Sequence, residues 1–192
     1  AHALSAWMEG RTGVPYVDAN MRELLHTGFM SNRGRQNVAS FLTRDLKIDW
    51  RLGAEWFESL LIDHDVCSNY GNWNSVAGIW DASRQTHPFN VIKQAKTYDP
   101  DGEYVRLWVE ELQSLKGGAA HEPWLIPENL KGKCEDAQGR PYPPPIVQWV
   151  CGGAVPLGAP ISAGKKHSGP KKTSGDEAMS GKSHVIGGRW VG

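Results

Sequence analysis

Gly28-Phe29-Met30-Ser31-Asn32-Arg33-Gly34-Arg35-Gln36 and, further along, Leu61-Ile62-Asp63-His64-Asp65-Val66-Cys67-Ser68-Asn69-Tyr70-Gly71-Asn72-Trp73 are the stretches whose reading decides the fold. The first sets Asn32, Arg33, Arg35 and Gln36 within little more than one helical turn. The second gathers Asp63, Asp65 and Asn69 ahead of a Gly-Asn-Trp turn. The span between them, Phe41 to Phe57, reads as helical and carries tryptophan. Together they predict a polar pocket held between helices with large indole rings beside it. A pocket of that kind suits a flat redox cofactor with a charged tail.

Outward from this centre the body reads as helices joined by turns, with no convincing alternating strand. Val17, Met21, Leu24 and Leu25 recur at the spacing of a one-sided helix over Val17 to Leu25. Ser31 or Asn32 can cap the next helix, whose apolar face is Val38, Phe41 and Leu42. Gly53 to Ile62 repeats the pattern with Trp56, Phe57, Leu60 and Leu61. Asp101-Gly102 precedes a further helix from Glu103 to Leu115, ended by Gly117-Gly118. The expected fold class is therefore all-α. From about Gly132 the character changes: Pro141, Pro143, Pro144 and Pro145 crowd together, then Gly, Ser and Lys dominate. Residues 131–192 are expected to form a disordered tail behind a helical domain over 1–130, because they cannot bury enough surface to offset chain entropy.

The 192 residues suffice for one domain with a real core, and nine tryptophans are many for that length. No apolar run approaches the roughly 18 residues a spanning helix needs. Cys67, Cys134 and Cys151 lack paired or metal-type spacing, which fits free thiols in a reducing compartment. His64 and Cys67, three apart, are too few to imply a metal site. Net charge is zero, yet residues 1–130 hold 12 Lys+Arg against 17 Asp+Glu and residues 131–192 hold 9 against 4. An acidic body argues against a broad phosphate-binding face, so any DNA contact must be local, with Arg33 the best candidate. The chain opens on residues that already read as domain interior, so it is expected to be a piece lacking its N-terminal part.

Several blocks carry a resemblance. Gly10-Arg11-Thr12-Gly13-Val14-Pro15-Tyr16-Val17-Asp18-Ala19-Asn20-Met21-Arg22-Glu23-Leu24, Ser31-Asn32-Arg33-Gly34-Arg35, Asp49-Trp50-Arg51, Asp63-His64-Asp65 and Asn69-Tyr70-Gly71-Asn72-Trp73 resemble the C-terminal half of the FAD-binding domain of the photolyase/cryptochrome family. Val66-Cys67-Ser68 leading into Asn69, Lys93-Gln94-Ala95-Lys96 and Tyr98-Asp99-Pro100-Asp101-Gly102-Glu103-Tyr104 resemble its DASH branch. The likeness spans roughly residues 6–128.

Taken alone, Asp63-His64-Asp65 would be a helix-terminal turn with solvated acids. The apolar helix end before it and Asn69 after it argue that the acids turn inward, and a buried carboxylate then needs a partner, for which Arg35 is the natural candidate. The resemblance implies FAD as cofactor, with Asn32, Arg35, Asp63, His64, Asp65 and Asn69 as its cofactor-binding set. It implies that Asn69 lies near flavin N5, where a neutral amide has no proton to give, so an anionic reduced ring persists. It further implies that Trp73 and Trp50 are the proximal and middle members of an electron-transfer triad whose third, surface member would lie a few residues before Ala1. Trp7, Trp56 and Trp108 are expected to be core. Arg33 and Gln36 are implied on the DNA-binding side. Ser75 departs from the family, where an aromatic ring stacks on the flipped lesion. The implied activity is light-driven repair of pyrimidine dimers in single-stranded DNA by reduced FAD. The alternative is a blue-light receptor with a signalling partner. An antenna pigment such as a folate would bind upstream, and the piece by itself is expected to be inactive.

Overall fold

The computed structural model describes residues 2–79, 89–150 and 153–157. Helix α1 (His2–Met8) leads into α2 (Pro15–Thr27), which opens on Pro15, whose fixed φ suits a first turn, and closes at Gly28. Gly28 has φ of 69° and sends its N–H back to the Leu24 carbonyl, a left-handed cap that glycine takes without strain. Helix α3 (Asn32–Ser40) is capped by Ser31, whose hydroxyl accepts from the Gly34 N–H at 3.1 Å, so of the two candidate caps serine fills the role. It runs on into a π-helical turn, Phe41–Asp45.

Helix α4 (Trp50–Leu60) is capped by Asp49 and α5 (Val66–Ala77) by Asp65, each carboxylate accepting a backbone N–H of the first turn. Helices α6 (Val91–Tyr98), α7 (Glu103–Trp108) and α8 (Glu128–Lys131) follow, with short 3-10 turns between the last two. The core lies where α2, α3, α4 and α5 meet, and Trp7, Trp73, Phe41, Phe57, Met21 and Leu24 are fully buried in it. The fold is helical, as its apolar spacing predicts. None of the helices described is long and apolar enough to cross a membrane.

Two expectations change. The helix expected from Glu103 to Leu115 stops at Trp108, because Val109 turns to an extended conformation. That break carries Glu111 inward, where Arg22 pairs with both its oxygens at 2.6 and 2.9 Å. Burial, the largest single influence, would raise the Glu111 carboxyl, but the Arg22 hydrogen bonds, a backbone hydrogen bond and the Arg22 charge together hold its pKa below the usual value. The second change concerns the stretch beyond residue 130. Residues 132–150 and 153–157 pack onto the body rather than trailing from it: Tyr142 donates to Asp18, and the Ile146 N–H reaches the Thr12 carbonyl at 2.9 Å. They end in an antiparallel hairpin, β1 (Val147–Val150) with β2 (Gly153–Pro156), Val147 facing Pro156. The remainder of the expected tail, 158–192, lies outside the described residues.

Candidate functional site

Arg35 sits on the buried side of α3, and its aliphatic stem is locked by the Nε–H bond to the Met30 carbonyl at 2.8 Å. The loop after α4 is tied to the α2–α3 turn by the Ile62 N–H bond to the Gly28 carbonyl at 3.0 Å. That tie brings Asp63 onto Arg35, with oxygens at 2.9 and 2.7 Å from Nη2. Opposite charges pair here with Arg35 buried and Asp63 open to solvent on one side. Asp65 next to it spends Oδ1 on the Ser68 N–H at 2.7 Å. His64 is half-buried, with Nε2 3.9 Å from Glu58 and neither ring nitrogen hydrogen-bonded.

Asn69, one turn into α5, is buried, and its Nδ2 donates to the Ala54 carbonyl of α4 at 3.0 Å. Among the described residues its carbonyl Oδ1 has no hydrogen-bond partner, and neither does Nε1 of the buried Trp73. Unmet polar atoms in a packed interior cost about 1–3 kcal/mol each, and these two stand one helical turn apart on α5. A planar, polar-edged cofactor fits that donor and acceptor set.

Trp73 packs closely against α4 because Gly53 has no side chain: a Cβ there would stand 2.3 Å from Trp73 Cη2. Its ring neighbours among the described residues are Phe57, centroids 5.1 Å apart, and Trp7 at 6.3 Å. Trp50 stands one turn before Gly53 on the same side of α4, but its ring contact is Tyr70, at 6.1 Å, rather than Trp73. Trp7, expected as plain core, is core and also touches Trp73, with its indole N–H bonded to the Val38 carbonyl at 3.1 Å.

On α3, Asn32 is half-buried at the first position. Arg33 donates to Gln36 Oε1 at 3.0 Å and lies over the Tyr98 ring, 5.0 Å from its centroid. Nearby Tyr16 is pushed up to about 12, chiefly by burial, with Asp99 adding. Ser75 is exposed on α5, two residues past Trp73. Among the described residues no group of three His, Cys, Asp or Glu side chains is placed to hold a metal. The structure thus brings Asn69 and Trp73 to the α4–α5 seam, pairs Arg35 of α3 with Asp63 in the loop between those helices, and sets Arg33 and Gln36 together on α3. Asp65 caps α5 and stays exposed, and His64 approaches Glu58 of α4. Tyr70 and Glu58 join the same seam through their hydrogen bond, a role absent from the expectations above. The signal was the i, i+3 spacing of Tyr70 and Trp73 on one helix face.

The sequence model described as the FAD binding domain of DNA photolyase matches residues 1–152. The chain is 64% identical over 142 residues to cryptochrome DASH of Xenopus laevis and 57% identical over 143 to that of Synechocystis, covering 74% of this chain and 27% and 29% of theirs. Among solved structures, the Synechocystis cryptochrome superposes with a TM-score of 0.71 at 54% identity, covering 77% of this chain and 30% of that one. A bacterial class III photolyase from Agrobacterium tumefaciens follows at 0.69 and 45%, covering 76% and 30%. The chain therefore spans less than a third of the length of the relatives it matches. With that geometry and those matches together, the chain belongs to the family of the FAD-binding domain of DNA photolyase.

Proposed function

We propose that this chain forms one wall of the FAD site of a DASH-type cryptochrome that repairs cyclobutane pyrimidine dimers in single-stranded DNA under blue light. The observation that carries the reading is the unpartnered Oδ1 of buried Asn69 on α5, the helix entered through the loop whose Asp63 pairs with Arg35. FAD, when bound, supplies a light-absorbing one-electron donor that hands an electron to the dimer and recovers it after the ring opens.

Each side chain then has a part. Arg35 and Asp63 set a fixed charge pair beside the pocket, and Asp65 and His64 line its edge, with Asn32 on the α3 side. Asn69 is fixed by one Nδ2 hydrogen bond to the Ala54 carbonyl, and its neutral amide can hydrogen-bond to a reduced ring but is no acid to protonate it, which keeps that ring anionic. Trp73 and Trp50 supply electrons from the protein side, indole being the most easily oxidised standard side chain. Arg33, steadied by Gln36 and Tyr98, is a pre-oriented cation for a DNA phosphate.

Ser75 supports the single-stranded preference. Extruding a dimer from a duplex costs a few kcal/mol, and less from a single strand. A serine returns none of the stacking, about 1–3 kcal/mol per base, that an aromatic ring would. The test is dimer repair on matched single- and double-stranded oligonucleotides by the reduced, FAD-loaded protein that carries this chain. Repair should be retained on single strands and mostly lost on duplex, and Ser75→Tyr should tighten lesion binding roughly tenfold, about 1.4 kcal/mol. Equal rates on both substrates would overturn the assignment of the preference to Ser75. Photoreduction without reversal on either substrate would favour the receptor alternative.

A further inference from the structure

Trp50 and Tyr70 meet edge to face, with ring centroids 6.1 Å apart and planes at 81°. The Tyr70 hydroxyl donates to Glu58 Oε2 at 2.9 Å. Glu58 in turn has Oε1 3.9 Å from His64 Nε2. On the other side the Arg51 guanidinium stands 5.5 Å from the Trp50 centroid, itself paired with Asp49 at 3.1 Å. A half-buried indole is thus flanked by a cation and by a phenol whose proton already points at a carboxylate.

We infer that Tyr70 is an electron donor to oxidised Trp50, with Glu58 taking its proton, so that a neutral tyrosyl radical forms on this face of the chain. The inference rests on the reading above, in which a light-excited flavin draws an electron through Trp73 and leaves Trp50 as a radical cation. One electron then moves from the Tyr70 ring to Trp50, the Tyr70 O–H bond breaks, and a new O–H bond forms on Glu58. Trp50 returns to a closed-shell indole, Tyr70 becomes a neutral radical, and Glu58 becomes a carboxylic acid. Charge and electrons balance with no further reactant.

Three physical features favour that direction. A phenol that loses an electron becomes a strong acid, so its oxidation needs a base already within hydrogen-bond reach, and Glu58 is there. The hydrogen bond to Glu58 raises the Tyr70 phenol above its ordinary pKa, so the proton is present at neutral pH and leaves only with the electron. The Arg51 cation disfavours a second positive charge on Trp50, weakly because both Arg51 and Asp49 are solvent-exposed. A mere tie between α4 and α5 would be worth little at so exposed a position, and it would not require the ring contact with Trp50.

The test compares wild type, Tyr70→Phe and Glu58→Gln in two arms. Tyr70→Phe keeps the ring packing, and Glu58→Gln keeps an acceptor oxygen but removes the base. In the first arm the FAD-loaded protein is flashed and its radicals are followed by transient absorption. Wild type should show the tryptophan radical cation giving way to a tyrosyl radical, more slowly in heavy water. Tyr70→Phe should lose the tyrosyl signal and prolong the tryptophan radical, and Glu58→Gln should slow tyrosyl formation. In the second arm the flavin-free chain is oxidised by flash-quenched ruthenium(III) tris-bipyridine, and freeze-trapped radicals are read by electron paramagnetic resonance. If the wild-type flavin is not photoreduced, the relay reading fails, while the second arm still tests Tyr70. A tyrosyl yield unchanged by Tyr70→Phe in the second arm overturns this inference whatever the flavin does.

Discussion

Arg35 meets Asp63 through a single guanidinium nitrogen: Nη2 reaches both carboxylate oxygens at 2.9 and 2.7 Å, while Nε is held by Met30. The side chains are unequally buried, Arg35 at 9% and Asp63 at 32% exposed. Removing Asp63 leaves a cation with little water to turn to, whereas removing Arg35 leaves a carboxylate that water can reach. Asp63→Ala should therefore cost about 2–3 kcal/mol in urea unfolding. In an Arg35→Met background, where no buried charge remains, the same change should cost less than about 1 kcal/mol. Equal costs in the two backgrounds would show that the pair is not coupled.

Gly53 is the seat of Trp73. A methyl at this position would stand 2.3 Å from Trp73 Cη2 and 2.6 Å from Leu42 Cδ2. Alanine would gain up to about 1 kcal/mol in helix propensity, against about 1–3 kcal/mol for overpacking a fully buried ring. The clash outweighs the propensity, so Gly53→Ala should lower the thermal midpoint and change the tryptophan emission. A raised midpoint would mean that the indole has room to move.

Much of this seam is legible along the chain, because its parts are local. Ser31, Asp49 and Asp65 announce helix starts by capping chemistry that acts within three residues. The Arg35–Asp63 pair is legible as a cation seeking a carboxylate, but the expected inward turn of the acids is not met: Asp63 stays open to water on one side and Asp65 is exposed, spent on capping α5. What is not legible depends on partners far off in sequence. The apolar pattern runs on past Val109, and the partner that Glu111 gains by the break, Arg22, lies 89 residues away. The proline-rich stretch looks too poor in apolar surface to fold, yet Tyr142 is anchored by one bond to Asp18, 124 residues away. Likewise, the resemblance implies that Trp50 and Trp73 are successive in one triad but not which rings touch, since that depends on side-chain direction and on the gap at Gly53.

Tyr142 completes the shell of Asp18, donating at 2.5 Å to a buried carboxylate that also takes the Thr12 N–H, the Thr12 hydroxyl and the Gly13 N–H. Burial, then the charge of Asp18 and the bond to it, lifts the Tyr142 phenol well above its usual value. Burial likewise lifts Tyr104 and Tyr16. The folded chain keeps these protons where the unfolded chain, with phenols near pKa 10, releases them. Stability should hold below about pH 10 and fall as pH rises beyond it. Tyr142→Phe should cost about 1–3 kcal/mol at neutral pH by leaving Asp18 one donor short, and its alkaline loss should be shallower by one proton. Urea midpoints measured across that range check both parts, and parallel curves would uncouple the phenol from folding.

Asn69 holds α5 to α4 by donating Nδ2 to the Ala54 carbonyl at 3.0 Å, deep enough to be only 2% exposed. Asn69→Asp keeps the shape but, once ionised, sets a carboxylate oxygen against that carbonyl with no hydrogen between them. Only the protonated acid restores the bond, so burial and this repulsion must raise the new carboxyl group well above the ordinary carboxylate range. An acid with a raised folded pKa supports the fold below its unfolded pKa and withdraws that support as pH rises. Asn69→Asp should therefore match wild type near about pH 4 and fall behind by about 2 kcal/mol at neutral pH. The measurement is the difference between the two urea midpoints as a function of pH. In the FAD-loaded protein the same change puts a proton donor where the amide has none, so the reduced ring should become easier to protonate. A difference that stays flat with pH would mean that the carboxyl group has turned away from Ala54 to water, and that the amide at position 69 is not held as its hydrogen bond implies.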